Sequence, residues 1–474
     1  MAKQDEAPID YRNRREERDS LGPVKVPENA LWGAQTQRAM DNFFIGGAPL
    51  PATFIRSLAA VKGAAASVNA ELKLLDEGIA ETLVEAAEKV MQGDYAQHFP
   101  VDVYQTGSGT SSNMNMNEVL ARLASQKLGR EVHPNDHVNL GQSSNDVIPT
   151  ALQHAVCTLT VEELLPALEE LEQTLLSRGE AFSGIVKTGR THLMDAMPLR
   201  LDQEFGAWAS DIASARLGVE WSLKRLRILP IGGTAVGTGV NTHGEFGPAV
   251  ARYLSKDARQ TFQAQDGFCN LGSQDAAVSM SGQLNVVATA LLKLCNDLRW
   301  MNSGPHSGLR ELSLPALQPG SSIMPGKVNP VIPEAVAMAC IQVGGLHTAI
   351  TTAGQSGNFQ LNVMLPLIAS NLLEAVTLLA RGASSMSQKA IPDITVNADH
   401  LREQLALNPI LITALNKHIG YAQGAAIVKE VEESQRSVLE VALEKTDLSR
   451  TQLEALLDPL KLTERGIPGD DGAN

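Results

Sequence analysis

The stretch that decides the fold is AVAMACIQVGGLHTAITTAGQSGNFQLNVMLPLIASNLL, residues 335–373, which contains no Asp, Glu, Lys or Arg. Residues 276–292 are likewise free of charged side chains. A membrane-spanning helix needs about 20 predominantly apolar residues, but the longer stretch carries polar groups such as Gln342, His347 and Asn358. Because a helix that is uncharged on every face is typical of burial on all sides, we predict that these segments are buried in protein and do not cross a membrane.

These two stretches also bear on assembly. Two helices without a solvent-facing side are difficult to place in one monomeric bundle, because each needs protein around its whole circumference. We therefore predict an oligomer whose central helices come from several subunits. Sedimentation of the protein as a monomer would contradict this interpretation.

Apolar residues at helical spacing extend on both sides of these stretches. Helical patterns start at Phe54, and a glycine-rich segment leads into a helix that ends at Gly129. Strand-like alternation is nearly absent, and the first thirty residues are predicted to be irregular. The pattern therefore predicts an all-α fold built around one elongated five-helix bundle. Its long helices are expected at residues 159–175, 205–219, 280–298, from 333 onward, and at about 361–380.

Composition and domain organisation follow from the whole chain of 474 residues. Apolar residues make up 43% and aromatic residues only 4%, so the core is expected to be aliphatic. Breaks in the pattern predict three domains, at residues 1–143, 144–394 and 395–474.

Charge and cysteine content exclude several classes of function. The net charge of −14 argues against nucleic acid as a partner, although local donors can still bind a small anion. The four cysteines include no CxxC pair, which argues against structural zinc and favours buried thiols in a reducing compartment. The first twenty residues lack the apolar core of a secretory signal, so we predict a cytoplasmic protein.

Three segments rich in glycine and short polar side chains precede predicted helices: residues 105–118, 142–146 and 320–330. Such approaches to helix N-termini present N–H groups to an anion, and Lys327 adds a positive charge. The alternative is that these residues only cap helices. Three such segments in one helical chain favour a shared carboxylate-binding site.

A proton donor and an orienting carboxylate are available for that site. His192 is a candidate acid near neutral pH, and Glu334 is a candidate partner. His133 and His137 have a four-residue spacing, but Pro134 and Asn135 lie between them without a predicted helix, so we expect no metal site. The sequence GSSIMPGK lacks the glycine spacing of a P-loop.

Seven segments, taken together and in this order, resemble the aspartase/fumarase superfamily, and in particular class II fumarases. They are LWGAQTQRA, TGSGTSSNMNMNEV, HPNDHVN, QSSNDV, GRTHLMDAMPL, GGTAVGTGVN and GSSIMPGKVNP, which span about residues 31–335. The resemblance implies a three-domain helical subunit in a homotetramer with composite active sites. It also implies reversible hydration of fumarate to (S)-malate in the tricarboxylic acid cycle, without a metal or organic cofactor.

The resemblance also implies roles for individual residues. Ser321 resembles the general base that removes the C3 proton of malate, and His192 resembles the acid that acts through water, with Glu334 as its charge partner. His133, Asn135 and Asp136 resemble a second dicarboxylate site. Lys327 is expected to stabilise the developing charge, and the positions that match substrate contacts are Ser108, Gly109, Thr110, Ser143, Ser144, Asn145, Thr191, Ser322, Lys327, Val328 and Asn329.

Other interpretations remain open at this level. Aspartate ammonia-lyase shares the signature loop, but aspartases generally carry threonine where this chain has Ser144. Gly141 replaces a serine that is common in relatives. Argininosuccinate and adenylosuccinate lyases fit less of the pattern. A structural protein on the same scaffold is the non-enzyme alternative, and a serine hydrolase lacks its GxSxG elbow here.

Overall fold

The computed structural model describes residues 7–256, 260–265, 267–434 and 436–466. The fold is helical for 61% of the chain, which confirms the predicted all-α class. The chain forms two compact units. Unit 1 comprises residues 1–166, 215–289 and 339–381, and unit 2 comprises residues 167–214, 290–338 and 382–474. The three predicted domain ranges stay a prediction.

Helices account for most of the described chain. In chain order they are α1 Ala34–Asn42, α2 Ala52–Glu71, α3 Glu77–Gln92, α4 Thr110–Leu128, α5 Ser144–Leu159, α6 Leu165–Ala181, α7 Leu201–Leu226, α8 Phe246–Lys256, α9 Asp275–Met301, α10 Val331–Gly354, α11 Leu365–Ser385, α12 Ala398–Ala406, α13 Asn416–Ile419, α14 Tyr421–Ser434, α15 Val438–Lys445 and α16 Arg450–Leu456. Short 3₁₀ turns lie at Ala96–His98, Pro409–Leu415 and Lys461–Thr463, and π-helical turns at Pro134–Val138, Thr160–Leu164 and Met386–Ala390.

Strands are few and form two-stranded pairs. Two antiparallel hairpins pair β1 Arg14–Asp19 with β2 Gly22–Pro27 and β3 Val186–Thr191 with β4 Met194–Arg200. The remaining strands have two residues each: β5 Ile228–Leu229 with β6 Gln263–Ala264, β7 Leu312–Ser313 with β10 Thr395–Val396, and β8 Gly357–Asn358 with β9 Leu361–Asn362.

The N-terminal hairpin corrects the prediction that the first thirty residues are irregular. Strand β1 alternates between exposed and half-buried positions, and β2 does so over its first four residues before two buried ones. In β1 the inward positions are charged rather than apolar, and they are occupied by ion pairs. Arg38 of α1 donates to Asp19 at 2.8 Å, and Arg15 pairs with Glu17 at 2.6 Å. Because the alternation is carried by paired charges, an apolar pattern search does not detect it.

The long helices agree with the apolar stripes, with shifted boundaries. The helix expected from residue 159 begins at Leu165 after a π-helical turn, and α10 begins at Val331. Helix α4 ends where Gly129 takes a left-handed conformation, as predicted, and Pro333 lies in the first turn of α10. Helix α11 begins at Leu365 rather than near 361, because buried Asn362 donates to Ala353 O at 2.9 Å and accepts from Met364 N at 2.9 Å. This amide holds the preceding turn in a non-helical path.

In the part of the chain that the structure describes, three helices are long and apolar enough to cross a membrane by length and composition alone: Asp275–Met301, Val331–Gly354 and Leu365–Ala390. Within the chain only 33% of the most apolar window of α10 is buried. Its exposed apolar side chains include Met338 and Ile341, each 66% exposed. The predicted burial on all sides is therefore incomplete in a single chain.

Candidate active site

A cavity of about 470 Å³ in unit 1 gathers one group of the predicted substrate residues. Its wall includes Thr110, Ser143, Ser144 and Asn145, which belong to two separate sequence segments. The GGTAVGTGVN segment contributes four further wall residues that have no predicted role: Thr234, Ala235, Val240 and Asn241. The remaining wall residues are Asn113, Met114, Asn139, Gly141 and Gln142.

The N-terminus of α4 forms one side of this cavity. Gly109 has a left-handed φ of 72°, and a Cβ there would lie 2.8 Å from Ile148, so only glycine fits this entry to the helix. Ser108 Oγ and Thr110 Oγ1 are 2.8 Å apart and share a hydrogen bond. The backbone N–H of Ser111 is capped by Thr106 Oγ1 at 3.1 Å, so capping and site formation coexist in this segment.

The N-terminus of α5 forms the facing side. Ser143 caps the helix by accepting from Asn145 N at 3.2 Å, and Asp146 accepts from Ser143 N at 2.9 Å. The Asn145 side chain donates to Ala235 O at 2.8 Å. The second oxygen of Asp146 accepts from the backbone N–H groups of Gly232 and Thr234 at 3.0 and 2.9 Å. The two loops that line the cavity are thus fastened to each other.

Asp146 is completely buried in this arrangement. Desolvation raises its pKa to about 6, and the three backbone donors and the positive charge of Lys62 oppose that rise. The hydrogen bonds and the charge of Lys62 therefore favour the ionised form of the Asp146 carboxylate, whereas its burial disfavours that form.

A polar network around Lys62 adjoins the same cavity, and its members Asn113, Asn139 and Gln142 form part of the cavity wall. Lys62 Nζ donates to Asn139 Oδ1 at 3.0 Å and to Gln142 Oε1 at 2.9 Å. Asn139 Oδ1 also accepts from the side chains of Asn113 and Asn117 at 3.2 and 3.1 Å. Burial lowers the pKa of Lys62 to about 7, whereas the charge of Asp146 raises it.

The signature loop of unit 2 places its serine oxygen under two backbone donors. Ser321 Oγ accepts from Ile323 N at 3.3 Å and from Met324 N at 2.9 Å. Such a pair of N–H groups stabilises negative charge on an oxygen. Gly320 is required by close approach, because a Cβ there would lie 2.2 Å from Lys327 O.

Lys327 and Asn329 are held together at the end of the same loop. Lys327 Nζ donates to Asn329 Oδ1 at 3.0 Å, and Asn329 Nδ2 donates to Gly320 O at 2.5 Å. Both residues line a cavity of about 370 Å³, together with the predicted Val328 and Glu334 and with residues of the α9 end that the sequence did not single out: Asn296, Arg299, Trp300, Asn302, Ser303 and Gly304.

His192 lies at the tip of the β3–β4 hairpin. Both His192 and Leu193 have positive φ angles, 56° and 61°, as the two central residues of a tight hairpin turn require. Below the tip, Arg190 donates to Glu311 at 2.5 Å, and buried Lys187 lies 2.6 Å from Glu311 and 3.0 Å from Glu204. Buried ion pairs therefore anchor the strand that carries Thr191 and His192.

The residues of the predicted second site share one turn. His133 Nδ1 accepts from the backbone N–H groups of Asn135 and Asp136 at 3.3 and 3.2 Å. The segment Pro134–Val138 is a π-helical turn, which corrects the prediction that no helix lies there. His133 and Asn135 line a cavity of about 470 Å³ that also contains Arg18 and Arg122.

The structure thus groups the candidate residues within each unit. Unit 1 contains the residues of segments 108–110 and 143–145, and unit 2 contains Thr191, His192 and the residues of 320–334. Among the described residues, no hydrogen bond or ion pair joins His192 to Glu334. Within the described ranges, no group of three His, Cys, Asp or Glu side chains is arranged to hold a metal ion.

Several residues of the site were missed by sequence reasoning. Asn113 and Asn117 are four residues apart in the run NMNMN, and this spacing places them on one helix face. Lys62 is a single charge in the apolar run AAVKGAAA, which is a signal for a buried polar partner. No signal in the sequence identifies that partner as Asn139.

Comparisons with known proteins identify the family of this chain. The chain matches the family model described as lyase over residues 22–345 and that described as fumarase C C-terminus over residues 411–464. It is 55% identical to a class II fumarate hydratase of Xylella fastidiosa, covering 95% of this chain and 96% of that protein. It is 54% identical to fumarate hydratase class II 2 of Pseudomonas aeruginosa, with coverages of 95% and 99%.

A solved structure gives the same result at the level of the fold. The class II fumarase of Schistosoma mansoni superposes with a TM-score of 0.92 at 36% identity, and the alignment covers 95% of this chain and 99% of that one. The identities of 55% and 54% extend over 95% of this chain, so they assign the whole chain to one family. The protein therefore belongs to the class II fumarate hydratases of the lyase family.

Proposed function

We propose that this chain is a fumarate hydratase that interconverts fumarate and (S)-malate through an aci-carboxylate intermediate, in the tricarboxylic acid cycle. The observation that carries this proposal is the environment of Ser321, whose Oγ accepts two backbone hydrogen bonds in the loop that also holds Lys327 and Asn329. A serine is a base only when its alkoxide is stabilised, and these donors supply that stabilisation.

In the dehydration direction, the Ser321 alkoxide takes the C3 proton of malate. The electron pair passes into the neighbouring carboxylate, which becomes a doubly charged aci-carboxylate. The C2–O bond then breaks, and the hydroxyl leaves as water after receiving a proton that His192 supplies through a water molecule, with Glu334 as the charge partner of His192. The double bond of fumarate is thereby formed.

Electrostatic stabilisation has to supply most of the rate enhancement. General acid–base assistance gives about 10²–10⁴ in rate, whereas enzymes reach accelerations of at least about 10⁶. Fixed donors aimed at the developing charge are worth about 3–4 kcal/mol each. Lys327, Asn329, Asn145 and Thr191 are donors of the required chemical type.

The remaining predicted substrate residues are proposed to bind the carboxylates. Ser144 and Asn145 line the unit 1 cavity together with Thr110. The proposed set also contains Ser108, Gly109, Ser143, Ser322 and Val328. His133, Asn135 and Asp136 are proposed as a second dicarboxylate site.

The active unit is proposed to be a homotetramer with composite active sites. The support is the exposed apolar surface of the long helices, including Ile341 of α10 and Trp221 of α7, which is 68% exposed. Isolated soluble proteins rarely leave such surface uncovered. We propose that neighbouring subunits, rather than lipid or nucleic acid, cover it. The proposed location is the cytoplasm, in keeping with thiols that are free at all four cysteines.

One assay separates the proposed activity from its rivals. Absorbance of the fumarate double bond is followed after addition of malate and, separately, of aspartate. Formation of fumarate from malate alone is the expected result. Formation from aspartate alone would indicate aspartate ammonia-lyase, and inactivity with both substrates would favour a structural protein on this scaffold.

A further inference from the structure

The polar network around Lys62 at the unit 1 cavity supports an inference about the direction of its hydrogen bonds. This inference rests on the proposed function. Asn113 Nδ2 donates to Ser144 Oγ at 3.0 Å, in addition to its bond to Asn139. Ser144 is one of the predicted substrate residues on the cavity wall. Asn113 and Asn139 also line this cavity, but they and Lys62 have no assigned role.

Lys62 decides the direction of every bond in this chain of contacts. Lys62 Nζ donates to Asn139 Oδ1 and to Gln142 Oε1. These two bonds use both N–H groups of a neutral amine and two of the three of an ammonium group, so in either state the Asn139 atom that faces Lys62 is oxygen. The Asn139 Nδ2 group correspondingly donates to Gln142 O at 3.1 Å. Since Asn139 presents oxygen, the Asn113 atom that faces it is the amide nitrogen, and the second proton of that nitrogen is directed at Ser144 Oγ.

The orientation of the Asn113 side-chain amide leaves one of its polar atoms without a hydrogen bond. Asn113 is 1% exposed, and among the described residues its Oδ1 atom has no hydrogen-bond partner. A buried polar atom without a partner costs about 1–3 kcal/mol. A rotated amide would place its oxygen against the oxygen of Asn139, which is worse, and this accounts for the observed orientation.

We propose that Asn113, held by Asn139 and Lys62, is a positioning residue that fixes the Ser144 hydroxyl as a hydrogen-bond donor to a substrate carboxylate. Because Ser144 Oγ accepts from Asn113, its own O–H points away from that amide. Among the described residues it has no protein acceptor, which leaves the proton for an anion in the cavity. A hydroxyl that is free to rotate would spend part of its time presenting a lone pair to the carboxylate.

A double-mutant cycle tests this inference. Asn113→Ala and Ser144→Ala are each expected to lower kcat/KM for malate about tenfold, chiefly through KM, because the carboxylate is present in ground state and transition state alike. The double variant is expected to be no worse than Ser144→Ala alone, since Asn113 acts through that hydroxyl. Additive losses in the double variant would overturn the proposal.

The chain offers a matched control in Asn115→Ala. Asn115 lies on the same helix and is equally buried, but its side chain donates to His98 O and not toward the cavity. This variant is expected to lose stability while keeping kcat/KM within about twofold of the wild type. An equal rise in KM would mean that any buried asparagine in α4 has this effect, and would overturn the proposal.

Two further variants protect the test against a failure to fold. Asn113→Ser keeps a polar group that is too short to reach both partners, and Lys62→Met removes the charged donor at similar length; both are expected to raise KM in the same manner. Melting curves measured in parallel identify variants that do not fold. A wild type without activity on malate would contradict the proposed function, whereas an active wild type with unchanged KM in these variants would contradict only the positioning role.

Discussion

Asp146 Oδ2 accepts a hydrogen bond from the backbone N–H of Thr234 at 2.9 Å. This contact helps to fasten the loop after β5 to the first turn of α5, together with the bond from Gly232 N to the same oxygen. The two loops enclose the unit 1 cavity, so their relative position determines how Asn145 is presented. The carboxylate is buried and receives only backbone donors and the field of Lys62.

Asp146→Asn is expected to lower the free energy of unfolding by about 2 kcal/mol. The new amide presents N–H groups where backbone N–H groups need an acceptor, so at least one buried donor loses its partner. Urea unfolding monitored by circular dichroism measures the change. Asp447→Asn, at an exposed position, serves as the control, and equal effects of the two substitutions would contradict the explanation.

Lys62 predicts a pH-dependent stability. Burial lowers its pKa from 10.5 to about 7 in the folded protein, so between these values the unfolded chain binds a proton that the folded chain does not. The contribution of Lys62 to stability therefore increases as the pH rises through this window. Asp146, the charged group that faces it, is already ionised there, because its pKa is about 6.

The measurement compares wild type with Lys62→Met by urea unfolding at about pH 7 and about pH 9.5. The difference in unfolding free energy, wild type minus variant, is expected to grow with pH. A difference that stays constant would show that Lys62 has the same proton affinity in both states.

Ser321→Ala is expected to lower kcat by about 10²–10⁴ with little change in KM. The serine oxygen acts on a proton in the transition state, whereas the carboxylates are bound by other groups. Steady-state kinetics with malate measures both constants. Ser313→Ala, at an exposed position in β7, is the control. A near-normal kcat in the Ser321 variant would remove this residue from the role of base.

Glu311→Gln is expected to destabilise the protein by about 3 kcal/mol, because it leaves the buried Lys187 ammonium with Glu204 as its remaining carboxylate partner. Arg190 loses its charged partner as well. Thermal unfolding measures the effect. Glu454→Gln is a suitable comparison, since that carboxylate pairs with Arg450 at 3.7 Å on the surface and is expected to contribute about 0–1 kcal/mol.

Sedimentation is expected to give a particle of four times the 50.6 kDa chain mass. Ile341→Glu places a charge on the exposed apolar face of α10 and is expected to produce smaller, inactive species. Leu74→Glu, at an apolar position that is 51% exposed outside the long helices, should leave the tetramer intact. A wild-type monomer would contradict the proposed assembly.

The long helices were predictable because the apolar residues of each one recur at helical spacing within a short stretch of sequence. The apolar stripes indicated α6, α7 and α9–α11, and Gly129 indicated the end of α4. The hairpins were not predictable, because β1 carries paired charges on its inward side and β3–β4 is defined by two residues with positive φ rather than by an apolar alternation.

The site was predictable only in part. The glycine-rich loops identified themselves by composition, and Ser321 is held as its motif suggested. The residues that support the site could not be predicted. Lys62 and Asn139 are 77 residues apart, and neither local sequence indicates that the two residues are in contact. Such pairings depend on the packing of α2 against the loop before α5, which only three-dimensional information supplies.

The turn that carries His192 has a consequence for engineering. His192 and Leu193 both occupy a left-handed conformation that suits glycine or asparagine better. Selection for heat resistance alone is expected to favour glycine at residue 193. Glycine would make the turn more flexible and the position of the His192 imidazole less well defined. Mutant libraries screened for thermotolerance should therefore also be screened for turnover, because a substitution in this turn that raises stability is expected to lower turnover.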